Sequence, residues 1–204
     1  LIAGLIEVHP FTRVPKDLSP RIEKTAERIL SIEERAKLYT YEPDELTPLW
    51  KLLIMLGMRS GEACALRWQD INFENKTLRI NNTIQRAKNG AGYILGAPKT
   101  EASRRTIHLQ DLHIQILRAV EDDQLLAALG NHSLWHTKIA SSAEAPWSKR
   151  NPEGFVFIRE LGIPLVPDYA RYSFTEKLLS AGIPHARVHD LRHCYAHDQI
   201  KMGT

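Results

Sequence analysis

The sequence predicts an α+β fold that is mainly helical and carries a small antiparallel sheet. Three observations lead there. Apolar residues recur at helical spacing, as in Leu49, Leu52, Leu53 and Leu56 or Leu112, Ile116, Leu117, Val120 and Leu125, which lines them up on one helix face. Between such stretches lie short runs of strand-favouring residues at 77–84, 93–97 and 104–109. The sequence has 204 residues, 43% hydrophobic and 25% charged, enough to bury a core within one good-sized domain.

The elements follow in order. Residues 1–30 hold Pro10, Pro15 and Pro20 among many charges, so an extended linker is predicted there. Ser31-Ile32-Glu33-Glu34 is a capping box, with Ser31 as N-cap and Glu34 at the third helical position, and its helix is expected to reach about Tyr41. Thr47-Pro48 opens a second helix, since proline is tolerated where the N–H has no helical partner. Gly57 is placed to end it. A third helix is expected from about Ser60 to Arg67. The three strands come next, with the turn signal Asn89-Gly90-Ala91-Gly92 between two of them. Asp111 is expected to cap a long helix that Gly130 ends. Residues 130–154, with Trp135 and Trp147, show no period and read as a long loop. Phe155 to Ile158 reads as a short buried strand, Asp168 to Ala181 as a helix ended by Gly182, and a last helix starts near His189.

Composition excludes some classes. No apolar run approaches the roughly 20 residues of a membrane helix. The start, Leu1-Ile2-Ala3-Gly4-Leu5-Ile6, lacks a basic leader and reads as the tail of something upstream, not a signal peptide. Cys64 and Cys194 are far apart without metal spacing. They point to a reducing compartment, and a cytoplasmic location is expected. Net charge is only +3, but from Lys76 to Arg118 eight Lys and Arg stand against two acids. That segment therefore carries +6 and the remainder −3. A basic stretch on a near-neutral chain is a possible polyanion footprint, or simply a solvated hairpin.

Three short stretches carry candidate chemistry. His189 and Arg192 are three apart and share a helix face. A guanidinium offers a planar fork to two phosphate oxygens, and an imidazole can move a proton near neutral pH. Arg59 sits between a helix-ending Gly57 and a new helix, whose free N–H groups favour anions. Glu62 is placed to fix this arginine or to cap the helix. Lys99, beside Pro98 in a strand turn, can protonate a leaving alkoxide if the turn brings it in. Two arginines, a histidine and a lysine suit the holding and cleaving of a phosphodiester. Each stretch alone also fits an ordinary salt bridge or turn.

Taken together, they resemble a known family. Gly57-Met58-Arg59-Ser60-Gly61-Glu62-Ala63-Cys64-Ala65-Leu66-Arg67-Trp68-Gln69-Asp70-Ile71 resembles the first arginine box of tyrosine recombinases, the phage-integrase family. Pro98-Lys99-Thr100 with Ser103-Arg104-Arg105-Thr106-Ile107 looks like its catalytic β-hairpin, and His189-Asp190-Leu191-Arg192-His193 like its H-x-x-R box. The resemblance covers roughly residues 31–204, as the catalytic domain, with 1–30 as the linker from an absent core-binding domain. It implies that Arg59 and Arg192 clamp the scissile phosphate, that His189 helps move the nucleophile's proton, and that Lys99 is the general acid. Glu62 and His193 would support them, and Arg86, Lys88, Arg104 and Arg105 would meet double-stranded DNA. No metal or other cofactor is expected, because the arginines would carry the electrostatic work. The family's attacking tyrosine lies further downstream, whereas this sequence stops twelve residues after Arg192. Tyr169, Tyr172 and Tyr195 fit that role poorly, and Tyr195 reads as packing. A fragment without its nucleophile is thus expected, inactive in strand cleavage by itself. The intact protein would act as a tetramer on DNA, associated with the nucleoid, and this chain would be a monomer.

Two other readings remain open. His189, His193 and His197 are spaced by four residues and could hold Zn²⁺, although the helix lacks an H-E-x-x-H glutamate. A catalytically dead DNA-binding or regulatory module of the same ancestry is the other.

Overall fold

The computed structural model describes residues 27–87, 92–98, 100, 103–130, 154–159 and 163–203. Most of the expected linker, the tip of the predicted hairpin turn with Lys88, the turn residue Lys99 and the 131–153 loop lie outside the described residues. The fold is α+β. Its helices are α1 (Ile32–Thr40), α2 (Thr47–Leu56), α3 (Ser60–Cys64), α4 (Asp111–Gly130), α5 (Pro167–Ser180) and α6 (Val188–Met202). Its strands are β1 (Ile71–Asn72), β2 (Thr77–Ile80), β3 (Thr83–Arg86), β4 (Tyr93–Gly96), β5 (Arg105–His108), β6 (Ile158–Arg159) and β7 (Ile163–Pro164). Among the described residues they form three antiparallel sheets, in the orders β1-β2-β5, β3-β4 and β6-β7.

Local chemistry explains the helix ends. The Ser31 hydroxyl accepts from the Glu34 N–H, and the Glu34 carboxylate accepts from the Ser31 N–H, so two donors without helical partners are satisfied. Pro48 lies in the first turn of α2, and Gly57 closes that helix in the left-handed region at φ 60°. Helix α2 buries Leu49, Trp50, Leu52, Leu53 and Leu56. It packs against α1 and α6, and the Trp50 ring meets Phe174 of α5 at 5.1 Å. The core thus gathers around α2 and reaches Leu78, Phe155, Leu178 and Leu191. Among the described residues no helix is long and apolar enough to cross a membrane.

Several elements differ from expectation, each for a local reason. Helix α3 stops at Cys64, short of Arg67, and a single 3-10 turn at Trp68–Asp70 follows. The intervening backbone bonds outward: Trp68 N–H donates to the Gly154 carbonyl and Val156 N–H to that of Leu66. The predicted strand at 77–84 breaks in two. The Asn81 side chain donates to Asp70 at 2.8 Å, and beyond it the chain leaves the β5 partnership for the β3-β4 pair. Asp111 begins α4 but does not cap it. Its carboxylate meets Lys76 Nζ at 2.6 Å, while His113 Nδ1 accepts the Gln110 N–H at 3.0 Å. Of the expected strand at 155–158 only Ile158 pairs in a sheet; Phe155 makes a single bridge to Arg67.

Two close approaches position the site. A Cβ on Gly61 would stand 2.5 Å from the Ile84 carbonyl oxygen, so α3 lies directly on β3. A Cβ on Gly57 would stand 2.3 Å from the Tyr195 ring, so α6 covers the end of α2. Only glycine permits either contact.

Candidate functional site

Arg59 is extended (φ −76°, ψ 149°) between α2 and α3. The Glu62 carboxylate accepts its backbone N–H at 3.0 Å and its Nη1 at 2.8 Å. Glu62 thus does both jobs that its spacing allowed, capping α3 and holding the arginine. It is 2% exposed. Oε2, which takes the Arg59 N–H, also accepts Nη2 of Arg105, from β5, at 2.9 Å. Burial pushes the Glu62 carboxyl up, but the Arg105 and Arg59 hydrogen bonds outweigh it and hold the group below the ordinary carboxylate range.

Arg192 arrives from α6 and donates to the Gly57 carbonyl. Burial, then the like charges of Arg59 and Arg105, press its pKa down despite the help of Glu62. The two arginines of the separate sequence boxes are therefore neighbours in one field. Three guanidiniums share it with one buried carboxylate, leaving positive charge uncompensated.

His189 opens toward the same place from the first turn of α6. Partial burial, then His193 and Arg192, hold it below the ordinary histidine value, which favours the neutral imidazole. The His193 ring meets it edge-on at 4.7 Å, and His193 Nδ1 lies 3.5 Å from Glu27. Among the described residues no three His, Cys, Asp or Glu side chains form a group that could hold a metal ion.

Arg59, Glu62 and His189, with Thr83, Arg86 and Asp168, are among the residues that line an open cleft of about 510 Å³, whereas Arg192 and Arg105 are not part of that lining. Pro98 and Thr100, which flank Lys99, line it too. Arg86 is largely exposed on β3 at 71%, and Arg104 is exposed. Arg105, grouped by sequence with the DNA-facing cations, is instead turned inward to Glu62 at 28% exposure.

Sequence reasoning passed over two parts of the site. Ser103 is buried, accepts Arg59 Nη1 at 3.3 Å and lies 2.8 Å from the Thr100 hydroxyl. It joins the arginine to the turn that carries Lys99. Its sequence signal is its place in the Ser103–Ile107 stretch of the hairpin motif, which by itself names no partner for its hydroxyl. Asp168 accepts the Tyr93 hydroxyl across the cleft, and nothing local in the sequence connects residues so far apart.

A model of the phage integrase family matches residues 22–204. A XerC-like tyrosine recombinase of Caldanaerobacter subterraneus is 26% identical over 198 residues, which cover 94% of this chain and 48% of that protein. The putative defective protein IntQ of Escherichia coli is 27% identical over 208 residues, covering 98% of this chain and 49% of its own. Among solved structures, the Tn1549 transposon integrase in complex with transposon right-end DNA matches at a TM-score of 0.66 and 18% identity, over 98% of this chain and 61% of that one. The last likeness concerns the fold. This chain spans about half the length of the curated relatives it matches.

Proposed function

The chain belongs to the phage integrase family, and from that premise we propose that it supplies the phosphate-activating part of a site-specific DNA recombinase. The reaction is breakage and rejoining of duplex DNA through a 3′-phosphotyrosine link, in integration or excision of a mobile element. One observation carries the reading: Arg59, Arg105 and Arg192 share a field in which Glu62 is the buried counter-charge, beside a cleft that His189 also lines. Such a site attracts negative charge, and a pentacoordinate phosphorane concentrates negative charge on its non-bridging oxygens.

In this reading Arg59 and Arg192 donate to those oxygens. Glu62 and Arg105 are positioning residues that set the Arg59 guanidinium. Neutral His189 hydrogen-bonds the phosphate and accepts the proton of the attacking tyrosine hydroxyl. As the tyrosine oxygen bonds to phosphorus, the bond to the 5′ oxygen breaks and Lys99 gives that oxygen its proton. His193 holds the His189 ring. The nucleophile is assigned to no residue of this chain, since Tyr195 is committed to covering Gly57. Arg86, Lys88 and Arg104 face the duplex. Assembly as a tetramer on paired sites belongs to the same reading.

The test is salt-titrated fluorescence anisotropy with a labelled duplex carrying the element's end. Affinity is expected to fall steeply with salt, as phosphate contacts require. An Arg59→Ala/Arg192→Ala double variant is expected to weaken it about tenfold or more. Binding indifferent to that variant would overturn the assignment of the two arginines and favour a module that no longer uses this pocket.

A further inference from the structure

The cleft has a second group of charges that the reading above leaves unused. Asp168, in the first turn of α5, accepts the Tyr93 hydroxyl on Oδ2. Its Oδ1 lies 3.0 Å from Arg171 Nη2, and Arg86 Nη1 is 3.7 Å from Oδ2. Arg86 and Tyr93 are direct cross-strand partners of the β3-β4 hairpin. One carboxylate on α5 therefore grips both strands of a two-stranded hairpin that, among the described residues, pairs with no other strand. Arg86, Tyr93 and Asp168 all line the cleft, and both arginines are 71% exposed. Burial and the Asp168 carboxylate push the Tyr93 hydroxyl up to about 12, so it remains a donor at neutral pH.

A phosphate would want the same partners: two guanidiniums and a phenolic hydroxyl around one anion. The geometry points to Asp168 as an internal counter-anion, a latch that occupies a backbone-phosphate subsite of the cleft until duplex DNA displaces it. This rests on the DNA-binding reading above and adds to it a second phosphate contact, formed by Arg86, Arg171 and Tyr93. Opening the latch also frees the hairpin whose β4 strand runs on into Pro98 and Thr100, on either side of Lys99. The closed state thus holds two cations away from DNA and ties down the strand leading to the general acid.

Two measurements on the 204-residue chain test this. In salt-titrated anisotropy, Asp168→Asn is expected to tighten duplex binding by about fivefold or more and to steepen the log–log salt slope by about one to two, one step for each freed arginine. Glu176→Gln, the same charge change at an exposed position of the same helix, is the control for general field effects and is expected to leave the slope unchanged. Asp168→Asn that behaves like Glu176→Gln, or weakens binding, overturns the latch. If salt-sensitive binding persists and still depends on Arg59 and Arg192, that failure leaves the wider DNA reading standing. The second measurement needs no DNA. Hydrogen exchange of amides in 83–86 and 93–96 is expected to quicken in both Asp168→Asn and Tyr93→Phe. Unchanged exchange in both overturns the latch whatever the binding result, and quickened exchange in a chain that binds no DNA leaves Asp168 as a tie on the hairpin but overturns its role as a stand-in for phosphate together with the DNA reading.

Discussion

The starts of α3 and α6 use one device twice, with opposite electrical outcomes. In each, an extended arginine precedes the helix and an acid at the third helical position accepts its backbone N–H, at 3.0 Å for Arg59 to Glu62 and 2.8 Å for Arg187 to Asp190. Each acid is 2% exposed, and each also takes the same arginine's guanidinium. At α6 Arg187 donates through both Nε and Nη2 and so engages both Asp190 oxygens, to which the Arg28 backbone adds only a neutral donor. At α3 the carboxylate takes only Nη1 of Arg59, shares itself with Arg105 and faces the field of Arg192. A saturated pair is a staple. An oversubscribed carboxylate leaves guanidinium donors for an incoming anion. The local motif therefore says nothing about function; the number of cations that tertiary contacts bring to the acid decides it.

The most severe test of this difference is Glu62→Ala. It leaves three guanidiniums without their shared anion, and a loss of about 3 kcal/mol is expected, read as a fall in Tm of roughly 6–12 °C for a chain of this size. Next comes Gly57→Ala. The added methyl meets the Tyr195 ring, and φ 60° disfavours any side chain, so about 2 kcal/mol is expected to go. Since the Gly57 carbonyl also anchors Arg192, duplex affinity is expected to fall with it, which separates this variant from an ordinary packing defect. Asp190→Asn is expected to cost only about 1 kcal/mol, the worth of a helix cap, because Arg187 can turn to water. Thermal melts in which Asp190→Asn costs as much as Glu62→Ala would break the comparison.

The smallest effect is in the pH dependence. Both carboxylates are held below their ordinary range: burial raises each, and hydrogen bonds from arginine lower it further than burial raises it. The unfolded chain then binds these protons before the native one does. Their stabilisation is complete above the ordinary carboxylate range and is lost as pH falls through the native values. Urea melts at descending pH are expected to show a shallower acid limb in either Asp190→Asn or Glu62→Gln. An unaltered limb in both would mean that other groups govern acid unfolding.

Much of the fold was legible because its signals are local. The Ser31–Glu34 capping box, Pro48, Gly57 and the period of α2 act within a turn or two, and the helices start and stop where those residues require. Residues 77–84 read as one strand because strand-favouring residues flank Asn81 and Asn82 on both sides; the break there is fixed by Asp70, which belongs to another element. The cap of α4 was misplaced for the same kind of reason. Lys76 draws the Asp111 carboxylate away from the backbone, and His113 takes over.

For the candidate site the division is similar. The types and spacings of Arg59, Glu62, Lys99, His189 and Arg192 marked phosphate chemistry, because few side chains can bind and protonate a phosphodiester and the helix period puts His189 beside Arg192. By itself the sequence determined which groups are present, which helix end or strand turn each one occupies, and which neighbours within four residues it can reach. Only the tertiary structure decided their charge balance: Arg105 turned inward to Glu62, Ser103 bridging Arg59 to the turn before β5, Asp168 gripping the hairpin from α5. The physical reason is range. Capping and periodicity act over a few residues of chain, whereas Coulomb interactions and hydrogen bonds depend on distance in space, which packing sets between residues far apart in sequence.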